Sequence, residues 1–370
     1  MFPDGHWGWY IPRGASPFKG YYTLGFVATY TQNNYLIVKK VYEKYNSVLF
    51  ENDTILSIQK KPARVYIQQF AKKDPQSTKE SSYEVAARNI SLIKPRTPLY
   101  KSLENIKIKV KRKGKVYVYD LEWKRCPLSS NIKECMEDSS VLLIQGNGHL
   151  SLEEYDTVDY SYHKSFYLSY KTIMNKKIAI LHIKDFNKWK QTIVDSIIRN
   201  INKENPNSLI IDLKDSAGGG FDCVLYLSYS LGIQKEYTFQ YDYINNENKR
   251  IKTTSNFNFI TNSINKTNAV YNGKLFVRTN EICGSACDFF ARHIQANKRG
   301  KIIGQPPAGR GGGTDSFKLT HTFTLINIPQ RERIPHDYKK SIESEIMSIY
   351  LKSEQPLDLL IEKKIKRGDI

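Results

Sequence analysis

Strand-like and helix-like apolar runs alternate along the second half of the chain. Residues 178–183 and 208–212 are continuous apolar runs typical of buried strands, and stretches with helical spacing follow them at 189–201 and 224–231. A further apolar run at 274–277 precedes another such stretch. This alternation predicts an α/β domain with a mainly parallel sheet. The turns that end its strands should meet at one edge of the sheet, where clefts form.

Ser285 lies in the turn between the last of these strand-like runs and the helix-like run after it. The segment 277–291 passes from an apolar run, through a turn of small residues, into an apolar-periodic stretch. Such an elbow presents a serine hydroxyl in a cleft and directs the next backbone N–H to the same point. Alternatively, Ser285 only caps the following helix. The segment alone favours neither interpretation.

The composition is that of a globular protein without a membrane span. With 370 residues the chain can form two or three domains, and 40% hydrophobic and 25% charged residues are ordinary values. No run approaches about 18 consecutive apolar residues, so no membrane span is predicted. Residues 1–6 lack the basic and apolar regions of a signal peptide. The protein is thus cytosolic, or the sequence begins inside a longer precursor.

The chain is strongly basic, with a net charge of +19 from 56 basic and 37 acidic residues. Such an excess can indicate a nucleic acid or an anionic surface as a partner. The lysines are, however, spread through the chain and alternate with strand residues, as at 106–118. This pattern is typical of the wet face of a hairpin and favours a solvated basic surface over a polyanion site. We therefore do not expect nucleic acid as a partner.

The chain has five cysteines, an odd number. Cys126 and Cys135 lie in a polar, loop-like segment and could form a disulfide if the protein is exported. Cys283 and Cys287 flank Ser285. Because the sequence has no C-x-x-C pair and no close cluster of histidine and cysteine, we predict no metal site.

Acyl transfer by a serine also needs an oxyanion hole and a base. Gly218 and Gly219 lie in a turn between a strand and a helix, where glycines allow backbone N–H groups to face a ligand. No Gly-Lys-Ser/Thr follows, which excludes a phosphate-binding loop, and a plain turn is the alternative. His6, between glycines and tryptophans, suits a base. His182 is predicted to be a core residue, and His293 lies two turns into the helix after the elbow, too far to reach the serine.

Five segments resemble motifs of one family of serine peptidases. Residues 210–219 resemble the D-L-R-x-N-x-G-G strand and turn of the family that includes the C-terminal-processing proteases and tricorn, and 283–290 resemble its T-A-S-A-A-E nucleophile segment. Residues 302–309 resemble the I-V-G-x-x-T-x-G that follows, and 4–6 the D-G-H of the tricorn-like members. Residues 52–58 resemble the G-D-x-I-x-x-I of a PDZ-like domain. The likeness is strongest to the branch of the chlamydial protease-like activity factor.

The resemblance implies a crotonase/ClpP-like α/β core of the tail-specific-protease type, with an inserted or N-terminal PDZ-like β-rich domain. It implies a serine endopeptidase that forms an acyl-enzyme on Ser285, with His6 as general base. The amides of Ala286 and of Gly218 or Gly219 would form the oxyanion hole. Protein or peptide substrates are implied and no cofactor is. A homo-oligomer, and a secreted or periplasmic location, are in keeping with the family.

The residue that orients His6 remains open. One branch of the family uses a lysine as the base just past the third motif, where this chain has Arg310. Arginine stays protonated at working pH, so it cannot be the base. The histidine branch has a glutamate near the end of the domain, which makes Glu343 the first choice and Glu332 and Glu345 the alternatives. Each of the three could instead be a solvated carboxylate.

We predict five regions along the chain. They are a segment 1–19 that carries the base, a PDZ-like domain 20–125, a polar linker or insertion 126–175, an α/β peptidase core 176–350 and a basic C-terminal helix or tail 351–370.

Some departures from the family's motifs favour a second interpretation. The G-V-x-P-D expected after Glu343 is missing. Ser216 stands where the family usually has an asparagine, a change expected to weaken the hydrogen bonding of the turn. The lysine of the lysine branch is absent as well. The alternative function is therefore a catalytically inactive protein that binds a peptide or another ligand on the same scaffold.

Overall fold

The computed structural model describes two compact units. The described residues are 8–10, 22–31, 33–72, 79–93, 103–125, 160–163, 165–187, 189–216, 218–233, 238–244, 250–256, 269–309, 313–318, 325–335, 349–350 and 357–370. The smaller unit takes its described residues from Gly5–Ile144 and Thr314–Pro329. The larger unit takes its described residues from Gln145–Gly313 and Gln330–Ile370.

The smaller unit consists mainly of antiparallel strands. Its strands and helices are β1 Gly8–Tyr10, β2 Tyr22–Thr23, β3 Phe26–Tyr30, β4 Leu36–Val41, β5 Thr54–Ile58, β6 Lys61–Pro62, α1 Ala63–Ala71, α2 Lys79–Asn89, β7 Leu92–Ile93, β8 Ile106–Arg112, β9 Lys115–Leu121 and β10 Lys124–Arg125. Strands β3, β4, β5, β8 and β9 pair in this order in one sheet. Ile67 of α1 and Ala87 of α2 share a core with Phe26 and Val110 of that sheet. The PDZ-like identity of this unit stays a prediction.

The β8–β9 hairpin shows the alternation that its lysine-rich sequence predicts. Lys107, Lys109 and Lys111 are exposed, whereas Ile108 and Val110 between them are buried. Successive side chains of a strand point to opposite faces, so one face of β8 is wet and the other packs on the core. The interpretation of these lysines as a solvated face is confirmed.

The remaining strands and helices all have residues in the larger unit. They are β11 Tyr160–His163, β12 Phe166–Ile173, β13 Lys176–Ile183, α3 Gln191–Glu204, β14 Ser208–Asp212, α4 Phe221–Ser230, β15 Thr238–Ile244, β16 Arg250–Asn256, β17 Leu275–Thr279, α5 Ala286–Ala296, β18 Lys301–Gly304, β19 Gly313–Lys318, β20 Leu325–Pro335, β21 Ile349–Tyr350 and α6 Leu357–Lys366. The division between the two units falls within β19 and β20.

The central sheet of the larger unit has the strand order β11-β12-β13-β14-β17-β18-β21. Strands β13, β14, β17, β18 and β21 are parallel, whereas β11 and β12 are antiparallel to their neighbours. In the parallel register, Asp212 lies beside His182 on one side and beside Arg278 on the other. The predicted α/β class with a mainly parallel sheet is confirmed.

Helices cover both faces of this sheet. Ile211 of β14 packs in one cluster with Val224 of α4 and Phe290 of α5, while its neighbour Ile210 packs with Ile361 of α6. A strand that is buried on both faces needs apolar side chains on both, because successive residues alternate. For this reason β14 has a continuous apolar sequence and no polar alternation.

Strands β11 and β12 lie where the sequence predicts a polar, irregular linker, and this part of the prediction is wrong. Strand β12 pairs with β13 over eight residues, from Phe166 beside Ile183 to Ile173 beside Lys176. Met174 and Asn175 connect the two strands with φ of 50° and 61°. Positive φ at both residues of a two-residue loop is the type I′ turn that matches the twist of a hairpin. The sequence lacks the glycine that usually marks such a turn.

The helices in the described part of the chain are short. The longest, α3, has 14 residues. A membrane-spanning helix needs about 20 predominantly apolar residues. Among the described residues, no helix is long and apolar enough to cross a membrane.

Candidate active site

Ser285 lies at the sharp turn between strand β17 and helix α5, as the sequence predicts. Its backbone has φ 57° and ψ −120°, and it directly precedes the first residue of the helix. A non-glycine residue with positive φ is uncommon, and such strain is concentrated at functional sites. The side chain of Ser285 makes no capping hydrogen bond to the helix. The residue therefore occupies the N-cap position without performing the cap's usual function.

The turn that contains Gly218 lies directly against this elbow. Gly218 has φ 92°, and a Cβ atom at this position would lie 2.5 Å from the Gly284 oxygen, 2.7 Å from the Ser285 Cβ and 2.9 Å from the Ala286 nitrogen. A side chain at 218 is excluded by both the contact and the backbone conformation. The prediction of a glycine turn beside the serine thus has a physical reason in the structure.

Gly219, the next glycine of this turn, lies against the segment that follows β13. Gly219 has φ 134°, and a Cβ atom there would lie 2.9 Å from the backbone nitrogen of Asn187. The Phe186 N–H donates a hydrogen bond of 2.8 Å to the Gly218 oxygen. The glycine turn is therefore fixed between the elbow and the segment 186–187.

The N–H groups of Gly218, Gly219 and Ala286 are candidates for an oxyanion hole. Ala286 is the first residue of α5, where an N–H has no acceptor within the helix. In the part of the chain that the structure describes, no backbone hydrogen bond uses these three N–H groups as donors. Backbone donors of this kind, at the positive end of a helix dipole, stabilise developing negative charge.

The segment after β18 packs on the other side of the elbow. The Ala308 N–H donates to the Cys283 oxygen at 2.7 Å, and the Gly309 N–H donates to Asp288 Oδ1 at 3.0 Å. Residues 302–309, one of the five segments that resemble a family motif, thus contact the segment that carries Ser285. Arg310, which follows them, lies outside the described residues.

Asp212, Arg278 and His182 form a buried polar cluster that the sequence analysis did not identify. Arg278 Nη1 lies 3.4 Å from Asp212 Oδ2, His182 Nδ1 lies 3.2 Å from the same oxygen, and the Lys214 N–H donates to Asp212 Oδ1 at 3.1 Å. Burial alone would raise the pKa of Asp212, but the charge of Arg278 and the hydrogen bond with His182 outweigh it and hold that pKa well below its usual range. Asp212 is therefore a buried carboxylate. The available signals were an aspartate at the end of an apolar strand and its place at the first position of the D-L-R-x-N-x-G-G motif.

His182 is a core residue, as predicted. Its Nε2 lies 3.2 Å from Ser169 Oγ, and its ring stacks on Tyr167 with centroids 4.3 Å apart. Burial lowers the pKa of His182, although Asp212 acts in the opposite direction. Ser169, His182 and Asp212 thus follow one another in the order of a catalytic triad, but all three are buried. Without access for a substrate, this arrangement connects strands β12, β13 and β14.

His293 lies two turns into α5 and is buried. Its Nδ1 is 2.9 Å from Asn297 Nδ2, and its ring stacks on Phe289. Burial lowers the pKa of His293 well below its ordinary value. These contacts are with α5 and its C-cap residue and agree with the expectation that this histidine does not act on Ser285.

Several candidate residues lie outside the described part of the structure. They are His6, Glu343, Glu345, Cys126 and Cys135. Glu332 lies on strand β20, where it pairs with Asp242 of β15. The roles predicted for these residues stay predictions. The same holds for the roles predicted for Ser285, Gly218, Gly219 and Ala286, whose positions the structure gives.

The three described cysteines are free and buried. Cys287 Sγ donates to Ser216 Oγ at 3.0 Å, which connects helix α5 with the glycine turn. Burial raises the pKa of the Cys223 and Cys283 thiols well above the ordinary value. Among the described residues, no group of three acidic, histidine or cysteine side chains could hold a metal ion.

The sequence from β13 onward matches a known peptidase family. Residues 177–348 match Peptidase family S41. Over 162 residues the chain is 26% identical to the tail-specific protease of Haemophilus influenzae. That match covers 44% of this chain and 22% of the other, so the chain spans about a fifth of the length of that relative. The elbow, the glycine turn and the Asp212 cluster all lie within 177–348.

Solved structures of one protein, CPAF, share the fold. The structure of mature CPAF complexed with lactacystin superimposes with a TM-score of 0.69 at 13% identity, covering 99% of this chain and 84% of that one. The crystal structure of mature CPAF gives a TM-score of 0.68 at 13% identity, covering 94% and 80%. The sequence matches confirm the resemblance to the family of C-terminal-processing proteases and tricorn, and the CPAF structures show the same fold.

Proposed function

We propose that the protein is a serine endopeptidase that forms an acyl-enzyme on Ser285. The observation that supports this most is the contact between the elbow and the glycine turn. Ser285 has a strained backbone and no capping bond, and the position of a Cβ at Gly218 would be 2.9 Å from the Ala286 nitrogen. A plain helix cap requires neither the strain nor the second turn.

In the proposed mechanism His6 accepts the proton of the Ser285 hydroxyl while Oγ attacks the carbonyl carbon of a peptide bond. The N–H groups of Ala286 and of Gly218 or Gly219 stabilise the oxyanion. His6 then gives the proton to the leaving amine, and the acyl-enzyme remains. A water molecule, deprotonated by His6, then attacks the ester carbonyl, and His6 returns the proton to Ser285 Oγ as the acyl–oxygen bond breaks and the product acid leaves. Glu343 would orient the His6 ring.

The substrate class follows from the same proposal. The site would accept the backbone of a protein or peptide, and the smaller unit would bind an extended segment by adding it as a strand, if it is PDZ-like. A homo-oligomer and an exported location are part of the proposal and rest on the resemblance alone.

The alternative is a catalytically inactive protein that binds a peptide or another ligand. It is favoured by the absence of the lysine of the lysine branch, since Arg310 stands near that position. The missing G-V-x-P-D after Glu343 favours it as well, whereas the third departure, Ser216, does not. The Oγ of the buried Ser216 accepts a hydrogen bond from the Cys287 thiol, and its backbone carbonyl oxygen accepts one from the Gly284 N–H at 3.4 Å. The turn is therefore hydrogen-bonded to the elbow without the asparagine.

A fluorophosphonate probe distinguishes the two functions. We expect labelling of the wild-type protein at Ser285, found by mass spectrometry of the peptide that contains it. Ser285→Ala and His6→Ala should each lower labelling or peptide cleavage by roughly a thousandfold. Ser47→Ala, at an exposed serine of the smaller unit, is the matched control and should be labelled like the wild type. Absence of labelling in folded wild-type protein would favour the binding protein.

A further inference from the structure

Asn280 and Asp215 join the two turns of the candidate site. Asn280 directly follows strand β17 and precedes the elbow, and Asp215 precedes the glycine turn. Their side chains are buried, with 4% and 8% exposed surface. The two residues are 65 positions apart in the sequence, so only the fold brings them together.

The Asn280 amide makes three hydrogen bonds in this place. Its Oδ1 accepts the Asp215 N–H at 2.9 Å and the Cys283 N–H at 3.2 Å. Its Nδ2 donates to Asp215 Oδ1 at 2.7 Å. Because Oδ1 faces two N–H donors and Nδ2 faces a carboxylate, these contacts fix the orientation of the amide. A single side chain thus holds backbone groups of both turns.

Asp215 has a backbone that needs such support. Its φ is 62°, which is unfavourable for a residue with a side chain. The Ser216 N–H closes the turn by donating to the Leu213 oxygen at 2.9 Å. Strained conformations of this kind persist only when surrounding contacts hold them. The hydrogen bonds that the Asn280 side chain makes with the Asp215 N–H and carboxylate provide these contacts.

The position of Asn280 matters for the distance between the oxyanion donors and the nucleophile. Gly218 comes three residues after Asp215, and Ser285 comes two residues after Cys283. The backbone hydrogen bond between the two turns, from the Gly284 N–H to the Ser216 carbonyl oxygen, is long at 3.4 Å. The shorter bonds of Asn280 are therefore the stronger constraint on how far apart the two turns lie.

We propose that Asn280, paired with Asp215, is a positioning residue that sets the glycine turn against Ser285. It touches neither the substrate nor the reacting atoms. Its effect on the reaction is through the geometry of the oxyanion hole, where a misplacement of about 1 Å can reduce the rate by about a hundredfold. The inference rests on the proposed peptidase function.

An exchange of the two side chains tests the pairing. Asn280→Asp places a second carboxylate where the Asn280 amide donated, 2.7 Å from Asp215 Oδ1, and like charges at this distance repel. Asp215→Asn alone keeps an oxygen that accepts from the Asn280 amide, so its effect should be smaller. The double variant Asn280→Asp with Asp215→Asn restores one amide and one carboxylate, in exchanged positions. The double variant should recover most of the Ser285 reactivity that Asn280→Asp loses.

The first readout is the rate of Ser285 labelling by the fluorophosphonate. Asn280→Asp should lower this rate and the kcat for a peptide by about a hundredfold, with KM within about threefold of wild type, because transition-state stabilisation is lost rather than substrate binding. Asn105→Asp, at an exposed asparagine just before β8, controls for the charge and should match the wild type. A labelled wild type with an equally fast Asn280→Asp variant would overturn the inference.

The second readout needs no activity. Hydrogen exchange, measured by mass spectrometry on peptides covering 213–221 and 279–288, should rise in both segments in Asn280→Asp and return in the double variant. If the wild type is not labelled, the proposed function fails, and hydrogen exchange still decides whether the pair holds the two turns. Unchanged exchange in Asn280→Asp overturns the pairing. So does a double variant that recovers neither the exchange pattern nor the folding that Asn280→Asp has lost.

Discussion

The backbone of Gly218 lies so close to Ser285 that a Cβ atom at 218 would be 2.7 Å from the Cβ of the serine. Non-bonded carbon atoms normally approach to about 3.5 Å. The two turns therefore cannot keep their present separation if residue 218 has a side chain. This relationship connects the conformation of one turn to the position of the residue proposed to react.

Gly218→Ala should consequently reduce the reactivity of Ser285. We expect a loss of about a hundredfold in the labelling rate, because the new methyl group displaces the oxyanion donors. Gly114→Ala is the matched control, since Gly114 also has positive φ, at 82°, but a Cβ there meets nothing within 4 Å. Both variants bear similar backbone strain. Equal labelling rates in the two variants would show that contact with the elbow has no effect on the site.

Arg278→Met should destabilise the protein strongly. The substitution leaves the buried Asp212 carboxylate without its cationic partner, which typically costs about 3–5 kcal/mol. Urea unfolding followed by circular dichroism measures the change. Lys124→Met is the control, because Lys124 pairs with Glu122 on the surface, where such pairs contribute little. Similar midpoints for the two variants would contradict the importance of the buried pair.

Stability should fall as the pH decreases below about 6.5, the ordinary pKa of histidine. Burial lowers the pKa of both His182 and His293 in the folded protein. Over that range the two histidines stay unprotonated in the folded state but take up protons in the unfolded state. Each histidine therefore lowers the free energy of unfolding by about 1.4 kcal/mol for each pH unit. His182→Gln should reduce the slope of the unfolding free energy against pH below pH 6.5. An unchanged slope would show that His182 titrates normally in the folded protein.

The thiols of Cys223, Cys283 and Cys287 should be unreactive in the folded protein. All three are buried, and burial raises the pKa of the first two, which disfavours the reactive thiolate. Treatment with iodoacetamide at neutral pH, followed by mass spectrometry, should find them unmodified. The same treatment in urea should modify all three. Modification in the native state would mean that this part of the larger unit opens to solvent.

The sequence identified the elements of the site but not the contacts that hold them. Continuous apolar runs predicted β13, β14 and β17, and small residues marked the turns after β14 and β17, because buried parallel strands and tight turns leave strong local signals. The Asp212–Arg278 pair depends on the register of neighbouring strands. The Asn280–Asp215 pair joins turns that are far apart in the chain. Neither arrangement leaves a local pattern, so each required the three-dimensional structure.

Strand β12 was missed for a different reason. Its residues mix aromatic, aliphatic and polar types without a continuous apolar run, and the turn at Met174 and Asn175 has no glycine. The pairing with β13 over eight residues stabilises the hairpin without these signals. Tertiary context here outweighs local preference, as is common for strands.

The buried arrangement of Ser169, His182 and Asp212 has a practical consequence for searches that identify hydrolases from the geometry of their catalytic residues. A search that matches only interatomic spacing would select Ser169 in this molecule as a nucleophile. Solvent access distinguishes it from Ser285, since Ser169 is buried and Ser285 is partly exposed. Template searches across this fold should therefore require that the hydroxyl can meet a substrate.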